Sequence, residues 1–412
     1  MASRKLLELQ SDRIEMVLAS HKAPARVTGG VVTPRAVQFH LAPALGTKVN
    51  KMQALADELA LALGASSVRV SRQGSSVQLE VPRDDAQPVR LLPLMAQLAK
   101  GRGDGRPNSD KRTRTRVGTG EHNSPASLPP FTAILGMCDD GVPLLVRLAS
   151  PDVAHVLISG TTGSGKTALC QTMILSLAMT HRRSQLQFVL VDPKRRAFAP
   201  FETLPHLLRP IIDDATEAVD ALRELVQLME VRARTCLPTG LQAGAGAGAH
   251  VPAHHLAGGQ AVTPRVVVVL DELADLMQVA GKTLGEHLTR LAQRGREAGI
   301  HVIACTQKPS SQVLGTLMRA NFPARLVGKV VSPEDARVAA GIGGTGAERL
   351  TGRGDFVAVA AGQVLRFQAA YVSPAEMEQV IAQLGSAPRR WDVIKGRPSL
   401  LRQAAALVAR AN

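Results

Sequence analysis

His155-Val-Leu-Ile-Ser-Gly-Thr-Thr-Gly-Ser-Gly-Lys-Thr167 decides the fold of this chain. An apolar strand at 156–158 runs into a turn of the form Gly160-x-x-x-x-Gly165-Lys166-Thr167. The run that follows, 168–178, carries apolar residues at helical spacing. Strand, glycine-rich loop and helix in that order are the context a phosphate-binding loop requires. The glycines let main-chain N–H groups curl around phosphate oxygens, and the helix N-terminus adds positive potential there. The expected contacts are Gly160, Thr161, Thr162, Gly163, Ser164, Gly165, Lys166, Thr167 and Ala168. Lys166 is placed to reach the β- and γ-phosphates and the Thr167 hydroxyl to bind Mg²⁺, so the expected ligand is a nucleoside triphosphate.

A second stretch, Arg265-Val-Val-Val-Val-Leu-Asp-Glu272, is a continuous apolar run with two carboxylates at its C-terminal end. Parallel strands covered on both faces read this way, and ligands sit off their carboxyl ends. Asp271 is then placed to act on Mg²⁺ through a water, and Glu272 to polarise an attacking water. An Asp-Glu pair after a strand is also an ordinary helix N-cap. Behind a phosphate loop, the pair favours hydrolysis over nucleotide binding alone.

The chain has 412 residues, enough for two or three domains. Its 49 Lys and Arg against 34 Asp and Glu give a net charge of +15, which favours a polyanionic partner. Cys138, Cys170, Cys236 and Cys305 are widely spaced and read as reduced thiols of a cytosolic protein. No apolar run approaches the roughly 20 residues of a membrane helix, and the N-terminus lacks the apolar core of a signal peptide. A soluble, cytoplasmic protein without membrane insertion is expected.

Residues 1–92 read as a small α+β domain, with helices at 6–20 and 48–63 and a hairpin over 67–81 turning near Gly74. Residues 93–128 are expected to form a linker, basic around Lys111, Arg112, Arg114 and Arg116, which either touch phosphates or form a solvated run. Residues 129–383 alternate predicted strands (156–158, 187–191, 266–270, 301–305, 324–327 and 356–359) with helices, implying an α/β domain with a mostly parallel sheet. The Gly/Ala/His stretch between Thr235 and Thr263 reads as a surface loop, its histidines not at metal-ligand spacing. A helical tail fills 384–412, short of a winged-helix module.

Six blocks then fall into one order. They are Gly160-Thr-Thr-Gly-Ser-Gly-Lys-Thr167, Val191-Asp-Pro-Lys194, Leu204-Pro-His-Leu207, Val268-Val-Leu-Asp-Glu-Leu-Ala-Asp-Leu-Met277, Leu291-Ala-Gln-Arg-Gly-Arg-Glu-Ala-Gly-Ile-His301 and Ala304-Cys-Thr-Gln-Lys-Pro-Ser310. With Gly354-Asp355 behind them, they resemble the FtsK/SpoIIIE family of double-stranded DNA translocases, and the first 92 residues resemble the small domain that precedes the motor there. The resemblance implies a RecA-like, P-loop motor that hydrolyses ATP with Mg²⁺ and works as a homo-hexameric ring around duplex DNA. It implies that Gln307 contacts the γ-phosphate and that Arg296 is the arginine offered to a neighbour's nucleotide, with Arg294 as rival. It implies sequence-blind DNA contacts from Lys308, Arg319 and Arg337. Chromosome, plasmid and phage DNA all remain open as cargo. Pro333 and Glu334 depart from the family where relatives carry a basic residue. Related branches drive protein export or conjugative transfer, which is the alternative.

Overall fold

The computed structural model describes residues 4–33, 36–65, 67–73, 76–83, 88–100, 128–235, 263–307 and 320–385. The basic run at 111–116, Cys236, the Gly/Ala/His stretch, Lys308, Arg319 and the tail from 386 on lie outside the described residues. The chain divides into two compact units, the first essentially Met1–Val89 and the second most of the chain from Arg90 on.

The first unit is an antiparallel sheet in the order β1-β2-β4-β3, with β1 at Ala25–Val32, β2 at Ala36–Pro43, β3 at Arg69–Gln73 and β4 at Ser76–Pro82. Helix α1 (Arg4–Ser20) and the shorter α2 (Val49–Ala54) and α3 (Ala56–Leu63) supply Ile14, Leu18, Met52 and Leu59 to its core. They meet Phe39, Leu41, Leu79 and Val81 from the central strands. The helix expected over 48–63 is broken at Leu55, whose φ −91° and ψ 17° end α2 and start α3.

The second unit opens with α4 (Leu91–Lys100), a helix where the sequence suggested the start of a linker. Its sheet has nine strands in the order β6-β5-β13-β12-β11-β7-β10-β9-β8. Five of them are parallel: β7 (Val156–Ser159), β8 (Leu186–Val191), β9 (Arg265–Leu270), β10 (Ile300–Thr306) and β11 (Ala324–Val327). These are the apolar runs read from the sequence, and they hold the site. An antiparallel extension continues through β12 (Asp355–Ala360), β13 (Gln363–Ala369), β5 (Thr132–Cys138) and β6 (Pro143–Arg147). Strands β12 and β13 are joined by Ala361-Gly362, both with positive φ (49° and 72°), the conformation of a two-residue primed hairpin turn.

Helices α6 (Ala215–Thr235) and α7 (Leu273–Arg294) pack Leu222, Leu225, Leu284 and Leu288 onto Val266, Val268 and Val302. Helix α5 (Lys166–Thr180) is buried over ten of its 15 residues, so its apolar positions run nearly all round it. Helix α7 is kinked at Ala280 (φ −123°, ψ 20°), immediately before Gly281, where the helix has least backbone preference.

At the N-terminal ends of the parallel strands sits a buried cluster of imidazoles and one guanidinium. His301 Nε2 lies 2.9 Å from Arg265 Nη1, and His301 Nδ1 lies 2.9 Å from the Ala154 carbonyl oxygen. His155 Nδ1 accepts from Val302 N at 3.1 Å, and Arg265 stacks on Phe131 at 4.4 Å. Burial lowers His155 to about 4; burial, then the Arg265 charge, lowers His301 to about 3. Both imidazoles stay neutral in the fold but take protons in the unfolded chain below about pH 6.5. The unfolded state therefore binds more protons in that window, and stability falls as pH falls. Asp271, raised to about 6 in the fold, opposes this with one proton against two. The melting temperature is expected to be lower at pH 5.5 than at pH 7.5, as read by calorimetry; an equal or higher value would contradict this cluster.

Candidate nucleotide-binding and catalytic site

The phosphate loop connects β7 to α5 at the C-terminal ends of the parallel strands. Gly165 has φ 101°, and a Cβ there would lie 2.8 Å from Gly354 N, so neither conformation nor space admits a side chain. The loop is held by main-chain bonds from two distant segments. Thr161 N donates to Lys329 O at 2.8 Å and Gly328 N to Ser159 O at 2.8 Å. Arg353 N donates to Gly163 O at 3.0 Å and Gly354 N to Ser164 O at 2.8 Å.

Lys166 is buried and its ammonium bridges the loop, donating to Gly160 O at 2.8 Å and Thr161 O at 3.1 Å. Burial lowers its pKa, while Cys305, Glu272 and Asp271 act in the opposite direction. Ser164 Oγ is buried without a hydrogen-bond partner, a polar atom left to serve a ligand. Thr167 lies one residue into α5, beside Lys166.

Asp271 and Glu272 follow β9. Glu272 is 5% exposed and sits at the N-cap of α7 with φ 52° and ψ 64°, a left-handed conformation that a non-glycine residue adopts at a cost of about 1–3 kcal/mol. Both readings of the pair thus meet in one residue, because Glu272 caps the helix by position and also faces the loop. Its Oε1 accepts from Gln307 N at 3.1 Å. Gln307, just past β10, accepts from the Thr162 hydroxyl at 2.9 Å through its own Oε1. Strands β7, β9 and β10 therefore deliver Thr162, Glu272 and Gln307 into one hydrogen-bonded line.

Asp271 has no hydrogen-bond partner among the described side chains. Burial raises its pKa to about 6, helped by Asp192 and Glu272 and opposed by Lys166 and Lys194. The described residues hold no cluster of three or more His, Cys, Asp or Glu fit to bind a metal. A Mg²⁺ site of one or two protein oxygens completed by phosphate suits that donor set.

Asp192 and Lys194, quoted from the sequence without a role, are supports. Asp192 is fully buried and its carboxylate accepts from Lys194 N at 3.2 Å and Phe198 N at 3.0 Å. Lys194 Nζ reaches Asp275 at 2.7 Å in the first turn of α7. Asp355 is the support the sequence least revealed. It pairs bidentately with Arg366 at 2.9 Å on each oxygen and accepts from Thr351 N and Oγ1, clamping the turn that carries Arg353 and Gly354. Burial pushes the Asp355 carboxyl up, but Arg366 and Thr351 outweigh it and hold it below its ordinary value.

Arg296 lies in the turn between α7 and β10, at the opposite end of the seven-residue β10 from Gln307. Such a strand is about 20 Å long, so Arg296 stands far from its own phosphate loop. It is half-buried, near Arg265 and His301, whereas Arg294 is exposed as the last residue of α7. Arg337 is exposed on the helix Pro333–Ala340 and pairs with Glu334 at 3.0 Å. Pro333 and Glu334 form the first turn of that helix, capped by Ser332 accepting from Asp335 N. Both residue types suit that position.

The profile of the FtsK/SpoIIIE family matches residues 129–311, and that of the FtsK alpha domain matches residues 1–83. A DNA translocase FtsK of Sporosarcina ureae is 32% identical over 91% of this chain and 46% of its own length. DNA translocases SpoIIIE and SftA of Bacillus subtilis (strain 168) are each 32% identical over 92% of this chain, with 46% and 37% of their own lengths covered. The chain spans less than half the length of these curated relatives. Among solved structures, the pCW3 conjugation coupling protein TcpA covers 91% of this chain and 99% of its own, with TM-score 0.55 and 15% identity. The cytoplasmic domain of the Type VII secretion ATPase EccC from Thermomonospora curvata covers 72% of this chain and 34% of its own, with TM-score 0.53 and 24% identity. At those identities the likeness is one of fold.

Replacing Asp355 by Ala leaves Arg366, 18% exposed, without its carboxylate. It is expected to cost about 3 kcal/mol of stability in chemical denaturation, and to weaken nucleotide binding because the 351–354 turn no longer holds the loop. Stability within 0.5 kcal/mol of wild type, on the order of a surface substitution, would contradict the clamp.

Proposed function

Because the chain belongs to the FtsK/SpoIIIE family, we propose that it is an ATP-driven translocase of double-stranded DNA. It works as a hexameric ring and hydrolyses ATP at the subunit interfaces. The observation that supports this most is the line from Thr162 through Gln307 to Glu272, drawn from three strand ends at one phosphate loop. Lys166 and the loop amides bind the triphosphate. Thr167 and Asp271 hold Mg²⁺, which when bound neutralises phosphate charge. Glu272 takes the proton of the attacking water, and its buried, strained position orients it before the nucleotide arrives. Gln307 touches both the loop and Glu272, and Lys308 is one of the proposed DNA contacts.

The position of Arg296, at the far end of β10 from its own loop, suits a contact with the nucleotide of a neighbouring subunit. A finger supplied in trans contributes about 10³–10⁵ in rate. Arg319 and Arg337 complete the proposed DNA contacts with Lys308. Arg337 must exchange its partner Glu334 for a phosphate, which is feasible for a pair 65% and 67% exposed. No described helix is long and apolar enough to cross a membrane, and the proposed setting is the cytoplasm.

Displacement of a third strand from a duplex reads translocation directly. Wild type is expected to displace it with ATP, and Lys166→Ala and Glu272→Gln are expected to be inert. Displacement by Lys166→Ala would overturn the site. Hydrolysis by wild type with no displacement on any duplex would favour transfer of a protein instead.

Subunit mixing tests the finger. Arg296→Ala is expected to lose hydrolysis alone and to recover part of it when mixed with Lys166→Ala, since each then supplies what the other lacks. No recovery at any ratio, with mixed rings present by cross-linking, would remove Arg296 from that role.

A further inference from the structure

Two cations flank the phosphate loop, and neither side chain has a partner among the described residues. Lys329 follows β11, and its carbonyl accepts both Thr161 N at 2.8 Å and the Thr161 hydroxyl at 3.1 Å. Arg353 lies in the turn before β12, and its N–H donates to Gly163 O at 3.0 Å. The Lys329 side chain passes beside the Arg353 turn, because a Cβ at Gly352 would lie 4.0 Å from Lys329 Cδ and 3.4 Å from Gly163 O. Both side chains are exposed, and neither makes an ion pair or side-chain hydrogen bond among the described residues. By contrast Lys194 is paired with Asp275, Arg366 with Asp355 and Arg337 with Glu334.

The backbone under Arg353 is built with unusual care for an exposed residue. Arg353 has φ 52°, strained for a non-glycine side chain, between Gly352 and Gly354, both also of positive φ. Gln368 Nε2 donates to Arg353 O at 3.0 Å, and Asp355 fixes Thr351 two residues upstream. Such over-determination keeps a strained residue in place, with its N–H on Gly163 of the loop.

Charge decides what the pair serves. Asp192, Asp271 and Glu272 gather on the inner side of the site, and Lys194 is taken up by Asp275. Lys166 therefore faces these carboxylates together with an incoming polyanion, helped only by a Lys194 already held by Asp275 among the described residues. We propose that Lys329 and Arg353 form a cationic rim that holds the polyphosphate of the nucleotide in the same subunit, from the outer side of the loop. The proposal rests on the reading of this site as an ATP site. It adds two phosphate contacts that lie outside the glycine-rich loop, one of them from a point ~190 residues downstream of it, a separation only the antiparallel extension of the sheet can close. Duplex DNA could be attracted by the same charges, so the test separates the two anions.

Equilibrium titration of the full chain with ATPγS and with ADP, in Mg²⁺ and at several salt concentrations, reads the rim without turnover. Lys329→Gln combined with Arg353→Gln is expected to weaken ATPγS by roughly tenfold, the scale of one charge-assisted hydrogen bond. ADP should weaken less, and the dependence of log Kd on log salt should flatten. Lys329→Arg combined with Arg353→Lys keeps the charges and is expected to stay within about threefold of wild type. Unchanged ATPγS affinity, whether or not duplex affinity falls, would overturn the rim. Equal losses for ATPγS and ADP at an unchanged salt slope would also overturn it, because they would report a distorted loop. Wild type that binds no ATPγS would sink the ATP-site reading itself, a failure distinct from either.

Discussion

A glycine-rich loop cannot hold its own shape, and in this chain the loop is held by main-chain hydrogen bonds from residues 328–329 and 353–354. Everything else at the site presupposes that grip. Gly165 must lack a side chain because Gly354 packs against it, and Gly354 stays there because Asp355 is locked by Arg366 and Thr351. The stability of the antiparallel extension is therefore tied to the shape of a loop on the parallel half. A change as remote as Arg366 reaches the phosphate loop through Asp355 and the 351–354 turn.

Parallel strands supply the second constraint. Strands β7, β10 and β9 lie side by side and end within two residues of one another in register, so the residues just past each end meet. Thr162, Glu272 and Gln307 are those residues or their near neighbours, and they bond to one another. A strand also has two ends, and Arg296 occupies the other one. In the proposed ring, one β-strand thus carries a contact for its own nucleotide at one end and for a neighbour's at the other. Rigid coupling across a subunit needs no more than the stiffness of a buried seven-residue strand.

The parallel half was legible because its strands are buried on both faces and read as uninterrupted apolar runs, Val266 to Leu270 above all. The phosphate loop and the Asp-Glu pair were legible because their chemistry tolerates few residue types. Strands β5, β6 and β13 were missed. In β13 the apolar and polar residues alternate without a strong run, and the hairpin signal was the modest Ala361-Gly362. The helix at Leu91–Lys100 was hidden by a proline, Pro93, placed in its first turn where proline is tolerated. Lys329 and the clamping role of Asp355, which was quoted only within the family pattern, were beyond reach for a different reason. Their importance lies in which backbone they touch, and no pattern within 15 residues of either records that the phosphate loop is their neighbour.

The central claim is that Gln307, bonded to both the loop and Glu272, links the nucleotide to duplex DNA. Steady-state ATP hydrolysis by wild type and Gln307→Ala, each with and without long linear duplex, tests it most directly. The account predicts strong stimulation of wild type by duplex, and a Gln307→Ala protein that keeps most of its DNA-free rate but is indifferent to duplex. Stimulation of Gln307→Ala to the wild-type degree would contradict the link, and a wild-type rate blind to DNA would contradict the motor itself.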